Sequence, residues 1–135
     1  MTQVKDAMVP EPTTLSAEAS AQDAGRLFAD APEMRAVFVT AENGTLVGVI
    51  TRKTLVREVV AAGRDPRSVV LRDIAEPPHH TLDAGLQLED GFRMLEELDL
   101  ERVPVVESDR LVGVLSRAVV QRRLAEDEPP AIEVA

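Results

Sequence analysis

Two kinds of hydrophobic pattern alternate along this chain. Short apolar runs at residues 37–39, 45–50 and 103–106 are typical of buried strands. Elsewhere apolar residues recur every three or four positions, which places them on one face of a helix. These residues are Ala24, Leu27, Phe28 and Ala31 in one stretch and Leu88, Phe92, Leu95 and Leu98 in another. Together the patterns predict a mixed α+β fold.

The whole pattern occurs twice. At a shift of 67 positions, Val4 falls on Leu71 and Pro10 falls on Pro77. The shift then drops to 65, because the turn at residues 41–45 is two residues longer than its counterpart at residues 108–110. A length change in a turn costs little. The chain is therefore predicted to consist of two tandem repeats.

Each repeat is predicted to run strand, helix, strand, strand, helix. In the first repeat, Ser20 caps the first helix and Asp23 stands in the capping-box position. Asn43 and Gly44 predict the tight turn of a hairpin, and Gly63 predicts the end of the closing helix. The segment that leads into each repeat contains prolines and is predicted to be a turn.

The repeats set the predicted domain boundaries. Residues 1–63 form the first repeat, 64–69 a linker, 70–125 the second repeat, and 126–135 an acidic, proline-containing tail that we expect to be disordered. One repeat alone buries too little surface to be stable, so we expect the two to pack with pseudo-two-fold symmetry. The apolar excess on the closing helices predicts a homodimer.

The most regular stretch, residues 46–54, returns as residues 111–119. Each copy is an apolar strand that ends at a hydroxyl residue and an arginine, Thr51–Arg52 and Ser116–Arg117, and then turns into a helix. Backbone N–H groups and the positive end of a helix dipole meet at such a corner, which favours an anion. The alternative for Thr51 and Ser116 is simple helix capping.

Composition narrows the classes of function. The formal net charge is −9, with no Trp and no Tyr, which argues against nucleic-acid binding. No apolar run approaches the roughly 20 residues that span a bilayer, so no membrane association is expected. The amino terminus lacks an apolar signal core, and Cys is absent. These features predict a cytoplasmic protein.

Metal binding and catalysis are not expected. The two histidines, His79 and His80, are adjacent on an extended segment, so their side chains point to opposite faces and do not chelate one metal. No nucleophile, base and orienting group occur together in a motif, so the chain is predicted not to be an enzyme.

In the order and spacing of its motifs the chain resembles the CBS domain family, named after cystathionine β-synthase, from about Val4 to Leu124. The resemblance rests on residues 4–8 and 102–106 and on the two strands at 46–52 and 111–117. It implies a stand-alone tandem pair, or Bateman module, that binds AMP, ADP, ATP or S-adenosylmethionine in clefts between the repeats. Such modules control an attached or partner protein.

The resemblance also implies a set of ligand-binding candidates. The family's nucleotide motif is Gly, two hydrophobic residues, Thr or Ser, two variable residues and Asp, and the arginines of the preceding strand often contact phosphate. The candidates are Thr13, Thr14, Arg35, Val37, Thr51, Arg52 and Thr54 in the first repeat, and His80, Thr81, Arg102, Pro104, Ser116, Arg117 and Val119 in the second.

This chain departs from the family motif at the ribose-binding acid. Its positions hold Thr54 and Val119, whereas a carboxylate would accept both hydroxyls of a cis-diol. Two functions are therefore open: a regulatory sensor of an adenosyl ligand, and a ligand-free scaffold for dimerisation or protein interaction.

Overall fold

The computed structural model describes residues 2–127, and its elements follow the order predicted for each repeat. Each repeat contains the predicted strand, helix, strand, strand and helix, and a short helix precedes it. The elements are α1 (Val4–Ala7), β1 (Val9–Pro10), β2 (Thr14–Ser16), α2 (Ala21–Asp30), β3 (Ala36–Thr40), β4 (Leu46–Thr51), α3 (Arg52–Leu55), a π-helical segment (Val56–Val60), α4 (Leu71–Ile74), β5 (Leu82–Asp83), α5 (Leu88–Glu97), β6 (Arg102–Glu107), β7 (Arg110–Ser116) and α6 (Arg117–Asp127).

The elements form two compact units, which we name after their sheets. The three-stranded unit comprises residues 11–79 and 108–111, and its sheet has the order β2-β3-β4. The four-stranded unit comprises residues 2–10, 80–107 and 112–127, and its sheet has the order β1-β7-β6-β5. The fold class is mixed α+β, as predicted.

Each unit takes its leading segment from the other half of the sequence. The first leading segment, residues 4–10, belongs to the four-stranded unit, and the second, residues 71–77, belongs to the three-stranded unit. Val4 and Leu71 are fully buried in the respective cores. The compact units are therefore not continuous in sequence. The predicted repeats at residues 1–63 and 70–125 remain a division of the sequence and do not coincide with the compact units.

Local signals in the first repeat gave the predicted structures. The Ser20 hydroxyl accepts the Asp23 N–H at 3.1 Å, and the Asp23 carboxylate accepts the Ser20 N–H at 3.2 Å, which completes the capping box of α2. Gly44, with φ 88°, turns the chain between β3 and β4. The two strands then pair antiparallel from Ala36 opposite Thr51 to Thr40 opposite Leu46.

Three local predictions need correction. Both leading segments contain a short helix, α1 and α4, rather than only a turn, because the prolines lie after these helices. The first closing helix is α-helical only to Leu55 and continues as a π-helical segment that ends at Val60, and Gly63, with φ 68°, lies three residues beyond that end. Helix α6 continues to Asp127, two residues into the predicted tail, whose residues 128–135 lie outside the described part of the chain.

Candidate functional site

Each unit contains one strand-to-helix corner, and a hydroxyl caps the helix at both. In the three-stranded unit the Thr51 Oγ1 accepts the N–H of Thr54 at 3.2 Å. In the four-stranded unit the Ser116 Oγ accepts the N–H of Val119 at 3.4 Å. Helix capping by Thr51 and Ser116 is thus confirmed. Their contact with a ligand stays a prediction.

The first seven ligand candidates all lie in the three-stranded unit. Strand β2 runs parallel to β3, with Thr14 opposite Phe38, and β4 ends at Thr51 opposite Ala36. The beginnings of β2 and β3 and the end of β4 therefore share one edge of the sheet. Thr13, Thr14 and Arg35 are exposed there, whereas the Val37 side chain is buried.

The other seven candidates lie in the four-stranded unit, in an equivalent arrangement. Thr81 directly precedes β5, Arg102 opens β6, and Ser116 ends β7. The backbone N–H of Arg117 donates to the Glu101 carbonyl at 2.8 Å. This hydrogen bond links the end of β7 to the beginning of β6. Thr81 and Arg102 are exposed. His80 is half-buried and Pro104 is buried.

Arg52 points toward the end of helix α2. Its guanidinium donates to the carbonyls of Phe28, Ala31 and Pro32 at 3.1–3.2 Å and to the carbonyl of Met34. It also lies 4.9 Å from the centre of the Phe28 ring, within cation–π distance. These carbonyls lie in the last turn of α2 and just beyond it, and that of Ala31 also accepts the Met34 N–H at 2.9 Å.

Arg117 occupies the equivalent place but has different partners. Its guanidinium bonds to the carboxylates of Asp99 at 3.2 Å and Glu101 at 2.7 Å, just after helix α5. The Arg117 side chain is only 20% exposed. Both arginines therefore already have intramolecular partners, and their contact with phosphate stays a prediction.

Thr54 stands where the family motif has its acid. It is fully buried, and its Oγ1 accepts the Thr51 N–H at 3.2 Å and lies 2.9 Å from the Thr51 Oγ1. The same hydroxyl donates to the Glu76 carboxylate at 3.3 Å. These partners occupy the Thr54 side chain.

Glu76 completes this polar network, although it is not among the ligand candidates predicted from the sequence. Its carboxylate accepts from Thr54 and from the guanidinium of Arg57. The hydrogen bond from Arg57 is the main reason why the pKa of Glu76 lies below its ordinary value, whereas burial acts to raise this pKa. The carboxylate is therefore ionised at neutral pH. One signal was available: position 76 falls on Val9 in the repeat comparison, a charged residue opposite an apolar one.

The motif glycines bring the leading segments close to the strands. The Val49 N–H bonds to the Glu76 carbonyl at 2.8 Å, and the Glu76 N–H bonds to the Val49 carbonyl at 2.9 Å. A Cβ on the neighbouring Gly48 would lie 2.6 Å from the main-chain carbonyl oxygen of Glu76. In the four-stranded unit Val9 pairs with Val114, and a Cβ on Gly113 would lie 2.9 Å from the Val9 oxygen.

The four-stranded unit has apolar residues where the three-stranded unit has its polar network. Val119 is half-buried in place of Thr54. Val9, in place of Glu76, is 40% exposed. The two corners thus share a backbone arrangement and differ in side-chain chemistry.

An apolar groove lies elsewhere on the three-stranded unit, between α2 and the π-helical segment. Its volume is about 470 Å³, and Ala21, Gly25, Val59 and Val60 contribute to its walls. Val60 is 72% exposed and the neighbouring Val56 is 56% exposed. Arg26 and Arg64 flank this apolar surface.

Two absences apply to the described residues 2–127. Within this range, no group of three or more His, Cys, Asp or Glu side chains is placed to hold a metal ion. None of the helices found there has the length and apolar character needed to cross a membrane.

Both units contain the order strand, helix, strand, strand, helix and a capped strand-to-helix corner, which defines a tandem-repeat α+β module. The model of the CBS domain family matches residues 4–61 and again residues 71–126. The chain belongs to the CBS domain family and carries the domain twice. No catalytic family is indicated by these matches.

Hypoxic response protein 1 of Mycobacterium tuberculosis is similar to this chain. The two are 29% identical over 94 residues, which cover 70% of the chain and 66% of that protein, slightly less than two thirds of its length. A crystal structure of Hypoxic Response Protein I with two coordinated zinc ions has a TM-score of 0.75 and 25% identity, and the match covers 91% of this chain and 99% of the other.

A second solved structure is that of CBSX2 in complex with AMP. It has a TM-score of 0.71 and 26% identity, and the match covers 95% of this chain and the whole of CBSX2. The chain is thus similar over nearly its full length to a protein that binds an adenine nucleotide.

Proposed function

We propose that this protein is a regulatory module that senses AMP, ADP, ATP or S-adenosylmethionine and signals through a homodimer to a partner protein. The observation that carries the proposal is the similarity to AMP-bound CBSX2 over 95% of the chain. Under this proposal the protein is cytoplasmic and has no catalytic activity of its own.

The sheet edges support the proposal at the level of residues. Arg35 in the three-stranded unit and Arg102 in the four-stranded unit are exposed at these edges. Each provides a positive charge for a phosphate, beside a sheet edge that also carries a threonine, Thr14 or Thr81. Locally, therefore, the surface is suited to a small anion despite the net charge of −9.

The homodimer is supported by the groove between α2 and the π-helical segment. Val56 and Val60 are large apolar side chains that remain exposed in a single chain. Apolar surface of this kind is covered when two copies associate.

A ligand-free scaffold is the second candidate function. The specific observation in its favour is that Thr54 and Val119 replace the acid of the family motif. Thr54 is also buried and occupied by Thr51 and Glu76. A scaffold would keep the fold and the apolar groove and need no ligand contact.

The test is a thermal-shift and calorimetric panel of AMP, ADP, ATP and S-adenosylmethionine at millimolar concentration. A ligand that binds only the folded state stabilises it by about 2.7 kcal/mol at one hundred times its Kd. We therefore expect a concentration-dependent rise in Tm with at least one of the four. An unchanged Tm across the panel would support the scaffold.

A single variant tests whether only the ribose contact is missing or the whole nucleotide site. Val119→Asp restores the family acid in the four-stranded unit, where the position equivalent to Glu76 holds Val9 rather than a carboxylate. We expect this variant to gain nucleotide affinity and Val119→Asn, its neutral control, to gain less. Thr54→Asp is a poorer test, because it places a second carboxylate beside Glu76.

A further inference from the structure

The main chain of Glu76 is fixed beside the last strand of the three-stranded unit. It exchanges two hydrogen bonds with Val49, at 2.8 and 2.9 Å, and Gly48 allows this close approach. A side chain on a backbone held in this way starts from a defined position, which lowers the entropy lost when it binds a ligand.

The carboxylate of Glu76 is also oriented. Its Oε1 accepts from the Thr54 hydroxyl at 3.3 Å and from Arg57, and both partners belong to the helical segment that begins at the corner. Both hydrogen bonds that the described residues make to this carboxylate end on Oε1, and neither ends on Oε2. The side chain is 42% exposed, so a ligand from solvent can reach it.

Thr54 does not offer the same chemistry. Its side chain is fully buried, and its single hydroxyl is engaged with Thr51 and Glu76. The carboxylate that is hydrogen-bonded to the residue at the position of the missing acid is therefore that of Glu76, supplied by the second leading segment rather than by the motif.

We propose that Glu76 is the specificity-determining acid of the ligand site in the three-stranded unit, where it accepts hydrogen bonds from a pair of adjacent hydroxyls on the ligand. This inference rests on the proposed nucleotide-binding function. Glu76 Oε1 already accepts from Thr54 and Arg57, so the two lone-pair sites of Oε2 are the acceptors for the two hydroxyl donors of a vicinal diol.

The four-stranded unit lacks this acceptor. The position equivalent to Glu76 is Val9, and the position equivalent to Thr54 is Val119. The proposed diol contact is therefore assigned to the three-stranded unit.

The experiment compares AMP with 2′-deoxy-AMP by calorimetry on the full chain. Hydrogen bonds to a charged group contribute enough that we expect wild type to bind AMP about tenfold to a hundredfold more tightly than 2′-deoxy-AMP. Glu76→Gln should lose this preference while its affinity for 2′-deoxy-AMP stays unchanged. A purely structural role of Glu76 would instead lower both affinities equally.

Glu18→Gln is the matched control. Glu18 is also an exposed glutamate of the three-stranded unit that pairs with an arginine, but its carboxylate bonds to Arg72 of α4 and not to Thr54 or Arg57. This variant should keep the preference for AMP. The comparison of the two nucleotides on wild type tests the proposal even without any variant.

The outcomes separate the two proposals. If wild type binds AMP and 2′-deoxy-AMP equally, or if Glu76→Gln keeps the preference, the role of Glu76 is wrong and the nucleotide-binding function stands. If wild type binds neither nucleotide nor any other member of the panel, both are wrong.

Discussion

The strand-to-helix corners of the two units have the same backbone and different side-chain chemistry. In both, a hydroxyl at the strand end accepts the N–H of the third residue that follows it. In the three-stranded unit that residue is Thr54, which is linked to an ionised Glu76. In the four-stranded unit it is Val119, with Val9 in place of the acid.

The comparison shows that capping and the side-chain charge beside the corner are carried by different residues. Capping needs only one oxygen at the strand end, which Thr51 and Ser116 both provide. The charge beside the corner comes instead from the leading segment, which belongs to the other half of the sequence. A substitution at position 9 or 76 can therefore change the chemistry of one corner and leave its fold intact.

The arginines after the capping residues show the same separation. Arg52 bonds to four backbone carbonyls at the end of α2, and Arg117 bonds to two carboxylates after α5. Both link a strand end to the helix that precedes it in the chain. Only the second interaction is an ion pair, and therefore only the second is screened by salt.

The largest expected difference between the corners concerns the motif glycines. Gly48→Ala should destabilise the protein by about 1–3 kcal/mol. The new Cβ would lie 2.6 Å from the main-chain carbonyl oxygen of Glu76 and 2.9 Å from the Ala75 Cβ. Gly113→Ala should cost less, because its Cβ would lie 2.9 Å rather than 2.6 Å from the nearest backbone oxygen, that of Val9, and its closer neighbour is the Met8 side chain, which can move. Denaturant unfolding followed by circular dichroism measures both.

Gly25→Ala is the control for these two variants. A Cβ at Gly25, within helix α2, has no neighbour within 4 Å. Gly25 also lines the apolar groove, so the variant is measured on the unassociated chain, where it should be neutral or stabilise by about 0.5–1 kcal/mol, since alanine is the better helix former. Equal destabilisation by Gly48→Ala and Gly113→Ala would contradict the different packing of the two leading segments.

The second difference concerns the residues at the acid position. Thr54→Val keeps the side-chain shape but leaves the Thr51 N–H and the Glu76 carboxylate without their hydroxyl partner. We expect a loss of about 1–2 kcal/mol in the free energy of unfolding. The reverse exchange, Val119→Thr, should change it by less than about 0.5 kcal/mol, because Val119 is only half-buried.

These two variants should be compared by chemical unfolding at neutral pH. If Thr54→Val costs as little as Val119→Thr, below about 0.5 kcal/mol, the hydrogen bonds of Thr54 add nothing measurable to stability.

The features that the sequence predicted correctly depend on residues close together in the chain. The capping box of Ser20 and Asp23 spans three positions, and the hairpin turn at Gly44 follows from local backbone preference. The repeat itself was visible because its apolar positions recur in register. Fold class, element order and helix caps follow from such signals.

The features that were missed depend on contacts between distant positions. The partner of Thr54 lies 22 positions further along the chain, and the carbonyls bound by Arg52 lie 18 to 24 positions before it. No periodicity or motif reports such a pairing. The exchange of leading segments between the units was hidden for the same reason, because it becomes visible only when the strands are paired.

The smallest expected difference between the corners is their response to acid. The hydrogen bond from Arg57, with smaller contributions from Thr54 and His79, lowers the pKa of Glu76 below its ordinary value of 4.5. A carboxyl whose pKa is lower in the folded state stabilises the fold above that ordinary value. This contribution is lost as the pH falls through the folded-state pKa.

Glu76→Gln should therefore lose less stability than wild type between pH 7 and acidic pH, as measured by Tm across a pH series. The effect should be smaller than those of the glycine and threonine variants, because both members of the pair are substantially exposed. Val9→Gln changes the equivalent position of the other corner, which has no titratable group there, and should keep the wild-type pH profile. A Glu76→Gln profile parallel to that of wild type would show that the pair with Arg57 does not stabilise the folded state.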